Sequence, residues 1–175
     1  MDIGFPTIDQ KVQLLALYKK VANIPNGIIR RNNEIDEAYI TDFLHKSLEK
    51  GLILIVSIEE KIVGEIHAYT PDIFSFQHIL TDLTIVVDAD YQGQGIGRKL
   101  FEEFLRIVTE KYMHILRLEL FVREHNEKNV KFYESLGFRN EGRQEFKIFN
   151  ERAELETPLH MAWFNPNYVK KDGNS

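Results

Sequence analysis

The segment Tyr91-Gln92-Gly93-Gln94-Gly95-Ile96-Gly97-Arg98 lies between an apolar run, Leu80 to Val87, and an amphipathic run, Leu100 to Val108. That order reads as strand, glycine-rich turn and helix. Glycines at alternate positions strip side chains from a turn that opens a helix. The first amides of a helix have no partner within it, and the helix dipole adds partial positive charge there. Such a turn is suited to hold phosphate. A chain built around it is expected to bind a phosphorylated cofactor through its backbone. The plainer alternative is that the glycines only make a tight strand-to-helix connection.

Two familiar phosphate motifs do not fit. The dinucleotide fingerprint needs two residues between its second and third glycines, and Gly95 and Gly97 are separated by one. A P-loop needs Lys-Ser or Lys-Thr after its last glycine, and Arg98-Lys99-Leu100 does not supply it. Other chemistries fall to composition. With no cysteine, disulfides, thiolate metal sites and cysteine nucleophiles are excluded. The formal net charge is -5, and basic residues gather only in short pairs such as Arg30-Arg31 and Lys170-Lys171, so nucleic acid is not an expected partner. The N-terminal stretch, with Asp2 and Asp9, does not read as a secretory signal, and no apolar run approaches the ~20 residues of a membrane span. A cytoplasmic location fits this picture. No spacing of His, Asp and Glu compels a metal site; Glu119 and His125 are too isolated to form one.

The pattern along the chain is two helices, a hairpin, strand-helix-strand-helix and a final hairpin. Thr7 and Gln10 resemble a capping box ahead of a helix reaching about Asn23, and Pro25-Asn26-Gly27 breaks the chain. A second helix, starting near Asn33 or Asp36, ends at Lys50 before Gly51. Leu52 to Ile58 and Ile62 to Tyr69 form a hairpin through Glu59-Glu60-Lys61, and Pro71 to Gln77 is irregular. Leu80 to Val87 is a strand, and the helix after the glycine turn runs to about Tyr112. Arg117 to Val122 alternates as a strand. Asn126 caps a short helix that Gly137 stops. Glu141 to Phe149 and Thr157 to Phe164 read as two closing strands joined by Asn150-Glu151-Arg152. There is no repeat or linker, so residues 1–169 read as one domain and 170–175 as a polar tail.

Gln92-x-x-Gly95-x-Gly97 before an amphipathic helix resembles motif A of the GNAT superfamily, the acyl-CoA-dependent N-acyltransferases. Downstream, Asn126, Tyr133 and Gly137-Phe138, within Val130-Lys131-Phe132-Tyr133-Glu134-Ser135-Leu136-Gly137-Phe138, resemble the family's second signature. The resemblance covers roughly Leu52 to Phe164 and is sharpest over Thr84 to Phe138. Three positions depart from the pattern: Asn129 stands where alanine is usual, Ala89 where proline is frequent, and Gln92 where many members have arginine. The last removes a positive charge near phosphate that Arg98 partly restores.

The resemblance implies a mixed α/β fold, with a central, mostly antiparallel sheet and helices on both faces. It also implies acetyl-CoA as the acyl donor. The backbone amides of Gln92, Gly93, Gln94, Gly95, Ile96, Gly97 and Arg98 would hold its pyrophosphate. The backbone of Ile85, Val86 and Val87 would pair with the pantetheine arm, an amide near Val86 or Val87 polarising the thioester carbonyl. Asn126 would meet the arm, a role that coexists with helix capping. Tyr133 would give the departing thiolate its proton, against the alternative of a core tyrosine.

For the base that deprotonates the amine, the residues offer Asp82, placed by strand alternation on the face of Thr84 and Val86. Glu65, His67, His78 and Glu119 are further candidates, each read as a solvated or hydrogen-bonded surface residue, with ordered water as another route. Tyr39, Tyr69, Phe74 and Phe76 are candidates for an acceptor pocket, against plain core packing. The expected activity is transfer of acetyl from acetyl-CoA to a primary amine of a small molecule or peptide by direct attack in a ternary complex. The alternatives are an acyl-CoA-binding sensor without catalysis and a nucleotide-binding domain. The family also implies a homodimer through the C-terminal strands, where Trp163 and Phe164 serve either an interface or the core.

Overall fold

The computed structural model describes residues 1–25 and 27–170. Asn26, within the expected chain break, and residues 171–175 of the expected tail lie outside the described residues. In chain order the elements are β1 (Asp2–Gly4), α1 (Lys11–Ala22), α2 (Glu37–Lys50), β2 (Gly51–Ile58), β3 (Lys61–Tyr69), β4 (Ile79–Val87), α3 (Ile96–Lys111), β5 (Arg117–Arg123), α4 (Glu127–Ser135), β6 (Arg139–Arg143), β7 (Ile148–Phe149), β8 (Leu155–Glu156) and β9 (Pro158–Phe164). Hydrogen bonds order seven strands as β1-β2-β3-β4-β5-β9-β6, mostly antiparallel, with β7-β8 as a separate pair. Two compact units emerge, one of Met1–Tyr69 with Thr84–Ile107, the other of Thr70–Leu83 with the chain from Val108 onward. Among the described residues no helix is long and apolar enough to cross a membrane.

In the first unit, β3 is buried along nearly its whole length, and a strand of that kind needs cover on both faces. On one face a Cβ at Gly64 would stand 3.6 Å from Leu100 and 3.7 Å from Ile96, both on α3. On the other, Phe43 of α2 stacks on His67 at 4.2 Å, and Tyr18 of α1 bonds to Glu65. Each helix presents an apolar stripe at helical spacing, Leu14, Leu17, Tyr18 and Val21 on α1 and Ile40, Phe43 and Leu44 on α2. The expected caps are present. The Thr7 N–H donates to Gln10 Oε1 at 2.9 Å, and the Tyr39 N–H donates to Asp36 Oδ1 at 2.8 Å.

In the second unit, β5 alternates as read from its sequence, with Leu118, Leu120 and Val122 buried and the residues between them half-exposed. β9 runs antiparallel to β5 from Arg117↔Phe164 to Arg123↔Pro158, and β6 pairs with the other edge of β9. The start of β4 pairs in parallel with β5 at Ile79↔Arg117. Gly137 ends α4 with a φ of 92°, a left-handed conformation that glycine adopts without strain.

Two expectations are corrected. β1 has no counterpart in the sequence reading; it adds to β2 through Asp2↔Ser57 and Ile3↔Val56. The single strand read over Glu141 to Phe149 is two elements. A bulge between Asn140 and Gly142 shifts the β6 register, and Phe146 adopts a φ of 57°, which turns the chain out of the large sheet. The remainder, β7, pairs with β8 instead.

One buried amide locks the C-terminal end of the second unit. Asn165 is 4% exposed, and its Nδ2 donates to the carbonyls of Val108 at 3.3 Å, Tyr112 at 3.4 Å and Ile115 at 3.0 Å. Val108 and Tyr112 also accept backbone N–H groups, from Tyr112 at 3.1 Å and Ile115 at 2.8 Å, so the amide ties together the turn that leaves α3. Asn165→Ala is expected to destabilise the protein by about 2 kcal/mol, read from the urea midpoint, because three side-chain hydrogen bonds that hold this turn are lost.

Candidate functional site

The glycine turn has the geometry its sequence implies. Gly93 and Gly95 adopt φ values of 77° and 76°, where an L side chain is strained, and a Cβ at either would meet nothing within 4 Å. The space those two Cβ atoms would fill is therefore open. Gly97 differs: its φ is unremarkable and a Cβ there would touch Val87 Cγ2 at an ordinary 3.6 Å. Neither backbone nor packing demands glycine at 97. The Lys99 N–H donates to the Gly95 carbonyl at 3.1 Å, so the amides of Ile96, Gly97 and Arg98 form the opening turn. Two members of the run are engaged within the protein. The Gln92 N–H donates to the Ala89 carbonyl at 3.3 Å and its side-chain amide to the Val87 carbonyl at 3.2 Å. The Arg98 guanidinium donates to Glu102 at 3.3 Å, one helical turn on.

Sequence reasoning did not identify what anchors this turn. Asp88, at the end of β4, is buried. Lys20 Nζ of α1 donates to Asp88 Oδ1 at 2.5 Å, and Lys61 Nζ of β3 donates to Oδ2 at 2.9 Å. The Asp90 N–H donates back to Asp88 Oδ1 at 3.1 Å, and the Asp88 N–H donates to the Val63 carbonyl at 2.8 Å. Lys20 also reaches Asp90 Oδ2 at 2.5 Å. Burial on its own would push the Asp88 carboxyl up; the hydrogen bonds from Lys20 and Lys61 overcome it and hold it lowered to about 2. The available signal was an Asp at a strand end followed by a short turn that needs a cap. Its cationic partners, distant in sequence, carried none.

The remaining predicted residues fall as follows. Val86 is buried and belongs to the core cluster that includes Tyr18, Phe43 and Ile55, with Ile85 and Val87 half-buried beside it on β4. Asn126 caps α4, its side-chain oxygen accepting the Asn129 N–H at 3.2 Å. Tyr133 is buried on α4 with its ring edge-on to Phe132 at 5.4 Å and Phe138 at 5.9 Å. Burial pushes its hydroxyl up to about 12, so it carries its proton at neutral pH.

Among the base candidates, Asp82 is exposed and has a φ of 53°, which interrupts the alternation meant to align it with Thr84 and Val86. Glu119 pairs with Arg117, accepts from Thr81 at 3.3 Å and lies 3.7 Å from His160. The His78 carbonyl accepts the Leu116 N–H at 2.9 Å. Glu65 and His67 are not surface residues: both are buried, bonded to each other and to Tyr18. An alternating pattern marks a face, but in a strand covered on both sides neither face is wet. Of the acceptor candidates, Tyr39 and Tyr69 pack against the first unit's core, whereas Phe74, 83% exposed, and Phe76 are outside any core. Among the described residues no cluster of His, Asp and Glu could hold a metal ion.

Residues 49–140, more than half of the chain, match the family model described as an acetyltransferase (GNAT) domain. Over 58 residues the sequence is 43% identical to the ribosomal protein bS18-alanine N-acetyltransferase of Escherichia coli, covering 33% of this chain and 38% of that protein. The chain matches 28% to 38% of the length of the curated relatives it resembles. In fold, it is similar to the acetyltransferase of GNAT family from Streptococcus pneumoniae, with a TM-score of 0.84 at 23% identity over 93% of this chain and 98% of the other. It is also similar to yncA of Salmonella typhimurium, solved with its cofactor acetyl-CoA, with a TM-score of 0.83 at 15% identity over 99% and 98%.

The Asp88 anchor makes stability depend on pH. Its folded carboxyl binds a proton more weakly than the unfolded one, so its ionisation contributes stability above about pH 4 that is lost as pH falls through about 2. Thermal melting across that window is expected to fall more steeply for the wild type than for Asp88→Asn.

Proposed function

Because this chain belongs to the GNAT acetyltransferases, we propose that it transfers acetyl from acetyl-CoA to a primary amine of a small molecule or peptide, by direct attack within a ternary complex. One observation carries the reading: the open, Cβ-free space at Gly93 and Gly95, just ahead of the first turn of α3. A pyrophosphate suits it in charge, since backbone N–H groups and the helix dipole both favour an anion there. Residues 1–169 act in this reading as one N-acetyltransferase domain.

In this mechanism the amides from Gly93 to Arg98 grip the donor's pyrophosphate, Gln92 braces the turn through its bonds to Ala89 and Val87, and the backbone of Ile85, Val86 and Val87 holds the pantetheine arm. Asn126 contributes to the arm's seat while capping α4. An amide near Val86 or Val87 steadies the oxyanion as the amine attacks the thioester carbonyl. Tyr133, neutral and buried, donates to the thiolate as the C–S bond breaks; a phenol held in its protonated form suits that task. Asp82, exposed at its bend in β4, is one acceptor for the proton the ammonium must lose. The amino group of a ribosomal protein, which the Escherichia coli relative's name specifies, supports a peptide N-terminus as one acceptor class. A cytoplasmic site of action and a homodimer through the C-terminal strands belong to the same reading.

Two variants test it. Tyr133→Phe is expected to lower kcat by about 10²-fold or more while acetyl-CoA still raises the melting temperature. Unchanged turnover would remove Tyr133 from the chemistry, and a protein with no turnover in either form would be a sensor. Gly95→Val, which both strains the turn and fills the open space, is expected to abolish stabilisation by acetyl-CoA in the same melting assay.

A further inference from the structure

β3 carries a buried polar line that the donor site does not use. Glu65 has no exposed surface and His67 is 2% exposed. The Tyr18 hydroxyl donates to Glu65 Oε2 at 2.5 Å. His67 Nδ1 lies 3.0 Å from Glu65 Oε1 and 3.3 Å from the Tyr18 oxygen. A carboxylate only accepts, so the network puts the imidazole proton on Nδ1, donating to Glu65, and leaves the lone pair on Nε2. Burial first, and then the Glu65 charge, push the Tyr18 hydroxyl well above its usual range, which keeps it a donor.

The surroundings are apolar and aromatic. Phe43 of α2 stacks on His67 at 4.2 Å, and Tyr69 lies parallel to it at 6.3 Å. β2 places Ile53 opposite His67 and Ile55 opposite Glu65. From α1 comes Tyr18, and from α2 comes Tyr39, edge-on to Tyr18 at 5.9 Å. The cations nearby sit over outer rings, Arg30 at 4.1 Å from the Tyr39 centroid and Lys46 at 5.4 Å from that of Tyr69. Val86, on the strand segment assigned to the acyl-carrying arm, packs in the same cluster as Tyr18 and Phe43. A carboxylate buried without a lysine or arginine beside it is costly, and apolar residues would pack there at less cost. A carboxylate that orients an imidazole and stabilises it when it takes a proton has a reason to be there.

We propose that His67 is the group that takes the proton from the acceptor ammonium, with Glu65 and Tyr18 as positioning residues behind it. The proposal rests on the acetyl-transfer reading above and assigns its base to β3 rather than to Asp82. The ammonium gives one N–H proton to His67 Nε2. The freed lone pair forms the N–C bond at the thioester carbonyl. As the C–S bond breaks, the second N–H proton passes to solvent, and the thiolate takes a proton from Tyr133, which recovers one from solvent. His67 then releases its proton, so one proton is freed per amide formed.

The test is kcat against pH at saturating amine and acetyl-CoA for the wild type, Tyr18→Phe, Glu65→Gln, His67→Gln and Asp82→Asn. Stabilisation by acetyl-CoA is measured alongside. The wild type is expected to lose rate on the acid side. His67→Gln should lose that acid limb and about 10²-fold in kcat, yet still be stabilised by acetyl-CoA. Glu65→Gln removes the charge that favours the imidazolium, so the limb should move to lower pH. Tyr18→Phe removes a hydrogen bond that steadies the carboxylate, so the limb should move to higher pH. Tyr18→Phe keeps the ring and its packing, and decides the matter even where the other two variants fail to fold. A limb that stays in place in Tyr18→Phe, or that moves only in Asp82→Asn, overturns the proposal. A wild type that binds acetyl-CoA but turns over no amine overturns this inference together with the transfer reading, and is told apart by the absence of any profile at all.

Discussion

A helix cannot satisfy the amides of its own first turn, and the proposed donor side of this protein follows from where α3 is made to begin. β4 ends at Val87, the chain turns through Asp88 to Tyr91, and Gly93 and Gly95 take left-handed conformations that bring it onto the helix axis. The start is held from behind by Asp88, whose two oxygens receive cations from α1 and β3. The first turn of α3 thus starts from a support fixed to the first unit's core. That matters because a hydrogen-bonding cradle contributes most when it is already in place before the anion arrives.

The two buried carboxylates of the first unit solve the same electrostatic problem differently. Asp88 is balanced by two lysines and stays ionised to low pH, as suits an anchor. Glu65 has a neutral donor, Tyr18, and a titratable one, His67. Its charge is compensated in full only when the imidazole is protonated. The first arrangement sets a carboxylate between two fixed cations, whereas the second sets one between a phenol and an imidazole.

Much of this was legible in the sequence because it rests on local rules. The glycine turn, the Asn126 cap, the Gly137 stop and the β5 alternation each depend on a few neighbouring residues, and each appears where the chain indicates. What was not legible depends on partners far along the chain. β1 is three residues long, too short for any periodicity to mark, and exists because β2 offers an edge. The β6 bulge and the left-handed Phe146 divide what reads as one strand, and no glycine or proline stands at 146 to announce the turn. Lys20 and Lys61 look like ordinary surface cations until the fold brings both to Asp88. Glu65 and His67 read as the wet side of a hairpin, a reading that fails because α1 and α2 cover that side.

Gly97 shows how stability and use are set against each other in a single carbon atom. Alanine would suit the helix there, since it orders the backbone at less entropic cost, by roughly 0.5–1 kcal/mol, and would touch only Val87 at a comfortable distance. The fold on its own would favour that methyl. Its absence leaves the molecule slightly softer than it need be at the opening of α3, a concession that the proposed anion cradle would account for.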